Sequence, residues 1–365
     1  MKITLIANSY WNFYNFRYHL IKKLIADNSV TLIAPKDEYY NKFKELNCDL
    51  KFLKLQTNKI NILSDIFYIL KIYYLLLNIR PDYILNFTIK PVVFVSFFSY
   101  LHKCKIINTI TGFGTLYLKN KIYKKIFDIL YYISQKNIYK IIFQNFDDKN
   151  YFIKNKIVKL NKTLIINGSG VDTEYFYSCD YPKSEKINFL FMGRLIKEKG
   201  IIELISAFKK ILNTDNSVKL LLVVKKTKDN PSGINNIIKN IKNEKNIQII
   251  NEPADIREFI KIAHCLVLPS YREGLSKSCL EAMSMERPIL VSNVPGCKQL
   301  VEKNLNGFIF DSISQNSIYD IMKKFINLDY NKKYKMGKYS REIIKNKYSI
   351  EIINKKYLEL INQNE

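Results

Sequence analysis

Short apolar runs alternate with helix-like segments along most of this chain, and this alternation limits the fold more than any other feature. Apolar strands separated by amphipathic segments form a parallel sheet covered by helices on both faces, which is an α/β fold. The first half predicts strands at 3–7, 30–34, 50–55, 83–86, 105–109 and 140–144, with helices at 17–26, 37–46 and 61–78.

The same pattern begins again after a polar, irregular stretch, so the sequence predicts two doubly wound domains. The second set of strands is expected at 187–192, 218–224, 246–250, 264–268, 288–292 and 307–310. We assign residues 1–172 to the first domain, 173–186 to a linker and 187–347 to the second. Two more helices are predicted at 332–346 and 350–362. Because ligands of such sheets bind outside the carboxyl ends of the strands, we expect the site in a cleft between two facing sheets.

Charge and cysteine content narrow the partners and the compartment. The formal net charge of +25 suits a polyanionic partner such as a membrane surface, a nucleic acid or a phosphorylated substrate. The abundance of Lys, Asn and Ile is typical of an AT-rich genome, so part of this charge reflects codon bias. The six cysteines form no Cys-x-x-Cys pair, which favours a reducing cytosol over a disulfide framework or a zinc site. We expect no signal peptide, because the N-terminal apolar run is short and Asn8 follows it at once. We expect no spanning helix, because the apolar run 66–79 is only 14 residues long and contains Lys71.

A cationic turn follows the first strand of the second domain. Gly193 is expected to let the backbone turn tightly, and Arg194 offers a planar fork that suits two phosphate oxygens. Lys199 adds a second cation at the start of a helix, where free N–H groups also favour anions. The alternative is a solvated loop that is basic because the whole chain is basic.

Two carboxylates flank a turn that opens a later helix of the same domain. Backbone N–H groups of Gly274, Leu275 and Ser276 are expected to be free to meet a phosphate or a sugar oxygen. Glu273 on the loop would accept from sugar hydroxyls, and Glu281, about two turns into the helix, from ribose hydroxyls. The alternative is an ordinary helix with a glutamate in its first turn.

A set of short motifs, spread over nearly the whole chain, resembles one family. They are Asp255–Glu258, Leu268–Leu275, Leu280–Met283, Arg287–Ile289, Val294–Cys297 and Asn306–Phe308 in the second half, and Trp11, Tyr14–Arg17, Phe87–Pro91, Ile110–Gly114 and Asn167–Asp172 in the first. The chain resembles the family-4 retaining glycosyltransferases of the GT-B fold, and among them the bacterial transferases of lipid-linked oligosaccharide, O-antigen and capsule assembly. That fold implies that the C-terminal helix, 348–365, crosses back onto the first domain.

The resemblance also implies roles for the residues of the two segments. Arg194 and Lys199 hold the diphosphate of a nucleotide sugar, Glu281 binds its ribose, and Glu273 binds the transferred sugar. Gly193, Gly274, Leu275 and Ser276 complete the sugar-donor site, and the catalytic residues are Glu273, Arg194 and Lys199. The family works without a metal or other cofactor, and the sequence has neither an Asp-x-Asp motif nor a His cluster. The expected sugar donor is a UDP-linked hexose or N-acetylhexosamine.

Three departures from the family pattern affect these expectations. Glu286 stands where the subgroup usually has glycine before Arg-Pro, and the segment after the first strand, 9–13, contains no glycine. Many members place a histidine of the first domain near the donor sugar, and no such residue is assigned here. His19, His102 and His264 are interpreted as structural or solvated.

The acceptor is expected to bind the first domain and to be a saccharide on undecaprenyl diphosphate. We assign Arg17, Lys90, Thr111 and Gly112 to its site. Residues 119–162 hold 11 lysines and 3 aspartates, interleaved with aromatic and apolar residues, which favours an anionic bilayer as a partner. The protein is thus expected in the cytoplasm, peripheral on the inner face of the plasma membrane. The alternative for this segment is a buried helix with a basic outer face.

Other functions fit the sequence less well. A nucleotide-sugar-binding or nucleic-acid-binding protein without transferase activity is the alternative, but no RNA-binding motif is present and we expect no nucleic-acid partner. A phosphorylase would need a cofactor-lysine motif, and an epimerase additional acid and base carboxylates. A glycosidase using Glu273 and Glu281 would leave the cationic turn without a role.

Overall fold

The computed structural model describes residues 1–55, 61–100, 103–113, 121–225, 241 and 244–362. The chain folds into two compact units. Unit 1 consists of Met1–Ser169 and Glu351–Glu365, and unit 2 of Gly170–Ile350.

Unit 1 is built on a seven-stranded sheet in the order β3-β2-β1-β4-β5-β6-β7, with every adjacent pair parallel. Its strands are β1 (Lys2–Ile6), β2 (Ser29–Ala34), β3 (Asp49–Phe52), β4 (Tyr83–Phe87), β5 (Lys105–Ile110), β6 (Lys140–Phe143) and β7 (Thr163–Ile165). Its helices are α1 (Tyr10–Phe16), α2 (Tyr18–Asp27), α3 (Ile62–Ile79), α4 (Ile89–Ser96), α5 (Lys121–Ser134) and α6 (Phe146–Lys154), and short 3-10 turns cover Glu38–Phe43, Phe97–Tyr100 and Leu160–Lys162.

Unit 2 is built on a six-stranded parallel sheet in the order β10-β9-β8-β11-β12-β13. Its strands are β8 (Ile187–Arg194), β9 (Val218–Lys225), β10 (Ile247–Asn251), β11 (Cys265–Leu268), β12 (Ile289–Ser292) and β13 (Gly307–Phe310). Its helices are α7 (Ile201–Leu212), α8 (Arg257–Ile262), α9 (Lys277–Ser284), α10 (Gln315–Ile326) and α11 (Tyr330–Ile343), with 3-10 turns at Lys197–Lys199 and Lys298–Leu300 and a π-type turn at Ile344–Tyr348.

The last helix, α12 (Ile350–Asn362), packs on the sheet of unit 1, as the GT-B resemblance implies. Its buried residues Ile353, Tyr357 and Leu360 join the same apolar cluster as Ile3 of β1. The hydroxyls of Tyr357 and Thr109 lie 3.1 Å apart, so the helix is also fixed by a buried polar contact.

Most elements lie where the sequence places them, but the start of unit 1 differs. A helix, α1, occupies Tyr10–Phe16, where the sequence analysis assigned none. Its N-cap is Ser9, whose side chain accepts from the N–H of Asn12. The predicted helix at 37–46 is a 3-10 turn, and β7 and α10 were not predicted.

Helix α3 is longer than the apolar run seen in the sequence. It has 18 residues with a mean hydropathy of 1.6, and only 22% of it is buried. Among the described residues it is the one helix that is long and apolar enough, by length and composition alone, to cross a membrane.

Candidate functional site

The cationic turn of unit 2 is held against the carboxyl end of a neighbouring strand. Gly200 has φ +67° and opens α7, and a Cβ placed on it would lie 2.0 Å from the carbonyl oxygen of Pro269. The N–H of Tyr271 donates to the carbonyl of Glu198 at 2.9 Å. The two segments singled out in the sequence are therefore neighbours at one edge of the sheet.

Gly193 does not make the tight turn that we expected of it. It lies within β8, and a Cβ placed on it would be in ordinary contact, 3.5 Å from the ring of Phe191. The turn requires glycine at Gly200 instead, because only there is the backbone left-handed and the space closed. Arg194 ends β8, and its side chain is exposed at the carboxyl edge of the sheet.

Lys199 and Glu273 form an ion pair at this edge. The ammonium of Lys199 contacts Oε1 of Glu273, and the hydroxyl of Ser270 donates to the same oxygen at 2.7 Å. The two paired side chains are 17% and 14% exposed. Because both donors converge on Oε1, the second carboxylate oxygen is the one oriented away from these anchors. The pair brings a cation and a carboxylate to one point, as a diphosphate next to a sugar would require.

The loop that carries Glu273 rests on a second turn. Gly296 has φ +75°, and a Cβ there would lie 2.5 Å from the carbonyl oxygen of Gly274. The N–H of Glu273 donates to the carbonyl of Pro295 at 3.3 Å, and the N–H of Ser276 to that of Gly296 at 3.1 Å. The expectation that the N–H of Ser276 is free for a ligand was therefore wrong. Leu275, which follows in the loop, is half-buried against the core of unit 2.

Ser276 is instead the N-cap of α9. Its hydroxyl accepts from the N–H of Cys279 at 3.4 Å, which fixes the start of the helix that carries Glu281.

Glu281 is 7% exposed, and its carboxylate lies 3.7 Å from the ammonium of Lys277. Burial raises the pKa of Glu281, and Lys277 opposes that rise. The desolvated carboxylate is a strong acceptor for paired hydroxyls.

A buried arginine occupies the predicted acceptor region of unit 1. Arg17 is 3% exposed, with its guanidinium 4.4 Å from the centre of the Phe87 ring and 5.4 Å from that of Tyr357. Its Nε has no hydrogen-bond partner among the described residues, and burial lowers the pKa of Arg17. The next residue after Phe87, Thr88, has φ +71°. Its buried hydroxyl has no hydrogen-bond partner in the described part of the chain. A buried cation on aromatic rings suits a ligand anion.

The other predicted acceptor residues are Lys90, Thr111 and Gly112. Lys90 forms an ion pair with Asp65 at 2.6 Å, a partner that the sequence did not indicate. Thr111 and Gly112 follow β5 and are half-buried, with φ +116° at Gly112. Gly114 of the same motif and His102 lie outside the described residues.

Glu286, which departs from the family pattern, lies in an unusual backbone conformation. Glu286 has φ +64°, a left-handed conformation that favours glycine, which accounts for the glycine usual in the subgroup. Its carboxylate accepts from the hydroxyl of Ser178 and pairs with Lys338 at 2.8 Å. The next residue, Arg287, is fully buried and donates to main-chain carbonyls, including those of Ile260 and Asp180.

His264 is buried and hydrogen-bonded to the main chain. It is 3% exposed, and its Nδ1 accepts from the N–H of Asn188 at 3.0 Å. Burial lowers the pKa of His264 to about 4. His19 lies half-buried on α2. Among the residues that the structure describes, no group of three or more His, Cys, Asp or Glu side chains is arranged to hold a metal ion.

Two doubly wound parallel sheets, the second with cations and carboxylates at its carboxyl edge, make up the GT-B architecture. Crystal structures of Anabaena Alr3699/HepE in complex with UDP and glucose share the architecture, with a TM-score of 0.79, 16% identity and 99% coverage of both chains. Residues 180–343 match the family Glycosyl transferases group 1.

Curated relatives are similar over longer stretches. The chain is 26% identical over 325 residues, 84% of each protein, to the N,N'-diacetylbacillosaminyl-diphospho-undecaprenol alpha-1,3-N-acetylgalactosaminyltransferase of Campylobacter jejuni. It is 26% identical over 220 residues, 56% of each protein, to the UDP-Gal:alpha-D-GlcNAc-diphosphoundecaprenol alpha-1,3-galactosyltransferase of Escherichia coli. The chain is thus similar to bacterial transferases that act on lipid-linked sugars.

Proposed function

We propose that this glycosyltransferase moves a hexose or N-acetylhexosamine from a UDP-sugar to a saccharide on undecaprenyl diphosphate, with retention at the anomeric carbon. The observation that carries the proposal is the convergence of Lys199 and Ser270 on one oxygen of Glu273, at the sheet edge where Arg194 ends β8. The names of the Campylobacter and Escherichia coli relatives support the lipid-linked acceptor.

The proposed chemistry depends on charge at the departing diphosphate. Cleavage of the bond between the anomeric carbon and the phosphate oxygen leaves negative charge on UDP, and Arg194 and Lys199 stabilise it without a metal. Removal of one such donor commonly costs about 3–4 kcal/mol of barrier. The acceptor hydroxyl attacks from the same face and passes its proton to the departing phosphate oxygen, so that no protein base is needed.

The carboxylates hold the two ends of the sugar donor. The second oxygen of Glu273 accepts from hydroxyls of the transferred sugar, while Oε1 stays on Lys199 and Ser270. Glu281 accepts from the ribose hydroxyls, and Gly274 and Leu275 supply N–H groups. When the diphosphate binds, its oxygens share the ammonium of Lys199 with Glu273.

The acceptor diphosphate is assigned to Arg17. A buried guanidinium that contacts aromatic rings and has an unused Nε–H gains a hydrogen bond when an anion arrives. Lys90 is engaged by Asp65, so in this proposal it positions α4 and does not contact the lipid. The lipid acceptor places the protein in the cytoplasm, on the inner face of the plasma membrane.

The test is UDP release from a panel of UDP-sugars, with a short polyprenyl-diphosphate-linked acceptor. We expect acceptor-dependent release with one hexose or N-acetylhexosamine, and a product whose anomeric coupling by NMR matches that of the sugar donor. Lys199→Met is expected to lose about a hundredfold or more in kcat. The matched control is Lys197→Met, because Lys197 is an exposed lysine of the same turn.

Inversion at the anomeric carbon would contradict the proposed mechanism. If the protein binds UDP tightly but forms no UDP from any pair of sugar donor and acceptor, it is a binding protein without transferase activity. Equal activity of the Lys197→Met and Lys199→Met proteins would remove Lys199 from the site.

A further inference from the structure

Helix α3 is apolar on both faces, whereas a surface helix usually presents polar side chains to solvent. Its inner face, formed by Tyr68, Ile72 and Leu76, is buried in the core of unit 1. On the opposite face, Phe67 is 63% exposed and Leu70 is 61% exposed. The other strongly exposed apolar residues of this helix are Ile62, Leu63, Ile66, Tyr74 and Leu77.

Helix α5 repeats this arrangement. Ile126, Ile129 and Ile133 follow helical spacing and are 49%, 49% and 45% exposed, and Leu130 and Tyr132 are exposed beside them. Two aromatic residues of this helix do not lie on the exposed face, because Tyr131 is 1% exposed and Phe127 is half-buried against the core. The exposed face of α5 is therefore mainly aliphatic, with Tyr132 as an exposed aromatic residue.

The two exposed faces belong to one layer of helices. Tyr73 of α3 donates its hydroxyl to the carbonyl of Phe94 in α4, at 3.1 Å. Beyond α4, the hydroxyl of Tyr100 donates to the carbonyl of Ile133 in α5, at 3.3 Å. The helices α3, α4 and α5 thus lie side by side on the same face of the unit 1 sheet.

On the described parts of α3 and α5, the charged side chains that are exposed are lysines. Lys71 on α3 and Lys125 on α5 are exposed, as is Lys136 just after α5. The acidic residues of the two helices are engaged elsewhere, because Asp65 pairs with Lys90 and Asp128 accepts from the hydroxyl of Tyr151 at 2.7 Å. An apolar face with lysines at its edges is complementary to an anionic bilayer, whereas a second copy of the chain would place cation against cation.

We propose that the exposed faces of α3 and α5 insert together into the outer part of an anionic bilayer, with both helices lying in the membrane plane. Helix α3 does not cross the membrane, because its inner face is part of the core and Asp65 holds it to Lys90 of α4. The inference deepens the lipid-facing location given under the proposed function. It goes beyond the anionic-bilayer partner expected from residues 119–162, because it adds α3 and predicts binding that persists at high salt.

Flotation with vesicles of phosphatidylcholine and phosphatidylglycerol tests the proposal, with the full chain at low salt and in 0.5 M NaCl. We expect the wild-type protein to float in both, and the double variant Phe67→Gln/Leu70→Gln to partition about tenfold or more weakly. The matched control is Phe146→Gln/Leu160→Gln, because these residues are 62% and 63% exposed on other elements of unit 1. The control is expected to float like the wild type.

A second measurement reports depth directly. Tryptophan placed at Phe67 is expected to be quenched by brominated lipids, and tryptophan placed at Phe146 is not, each in a Trp11→Phe background. Release of the wild type by salt, or equal flotation of the two double variants, would overturn the inference. A dimer by light scattering that only Phe67→Gln/Leu70→Gln dissociates would assign the face to a second copy. UDP release with a soluble acceptor is measured in parallel, so that loss of insertion with turnover retained leaves the proposed reaction standing.

Discussion

Replacing Ser270 by alanine removes one of the two anchors of Glu273 and leaves the other in place. The Ser270 hydroxyl is fully buried and donates to Oε1 at 2.7 Å, while Lys199 contacts the same oxygen. A hydrogen bond to a charged group contributes about 1.5–3 kcal/mol. If that energy positions the carboxylate for the sugar, kcat/KM for the UDP-sugar falls by about 10- to 150-fold, since 1.4 kcal/mol is about tenfold.

The assay separates this role from a general loss of structure. UDP has no transferred sugar, so its affinity for Ser270→Ala, measured by calorimetry, is expected to stay within about twofold of the wild type. The control is Ser206→Ala, which removes the half-buried hydroxyl that donates to the carbonyl of Ile202 at 3.0 Å on α7. The reasoning is refuted if Ser270→Ala keeps full kcat/KM, or if UDP and UDP-sugar affinities fall together.

Three further predictions concern stability. Glu286→Ala is expected to lower the free energy of unfolding by about 2–4 kcal/mol, because the bonds to Ser178 and Lys338 are lost. Glu286→Gly is expected to lower it by about 1 kcal/mol less, because glycine adopts φ +64° without strain. A lower stability of Glu286→Gly than of Glu286→Ala in urea unfolding would contradict this. Gly200→Ala is expected to cost about 2 kcal/mol or more, because its Cβ would meet Pro269 at φ +67°, whereas Gly193→Ala has room; equal denaturation midpoints would count against it. The pKa of His264 is about 4 in the folded protein and 6.5 in the unfolded chain, so the unfolded chain binds more protons between these pH values. The free energy of unfolding therefore falls by up to about 3 kcal/mol as the pH drops from 6.5 to 4. His264→Gln is expected to flatten this pH dependence, and an unchanged slope would show that His264 is not its cause.

The sequence predicted both sheets because buried parallel strands are continuous apolar runs, such as Ile187–Arg194 and Val218–Lys225. It missed α1, since its start depends on a side-chain cap at Ser9 and not on apolar spacing. The π-type turn at Ile344–Tyr348 likewise has no simple sequence signal.

For the candidate site, the sequence suggested which residues to consider but did not predict the contacts that they make. Arg194, Lys199, Glu273 and Glu281 were predicted from cations and carboxylates after two strands, and the structure brings Lys199 and Glu273 into contact. The anchoring of Glu273 by Ser270 was missed, and so was the pair of Lys90 with Asp65, because such contacts depend on how the chain folds back on itself. The left-handed backbone at Glu286 was signalled by the glycine that the subgroup usually has there.

Calorimetry with UDP and with uridine tests whether the cations at the edge of the unit 2 sheet bind the diphosphate. If Arg194 and Lys199 bind the diphosphate, Arg194→Ala and Lys199→Met each weaken UDP binding by about tenfold or more and leave uridine binding unchanged, while Lys197→Met changes neither. Equal loss for UDP and uridine, or no loss for UDP, would contradict the account.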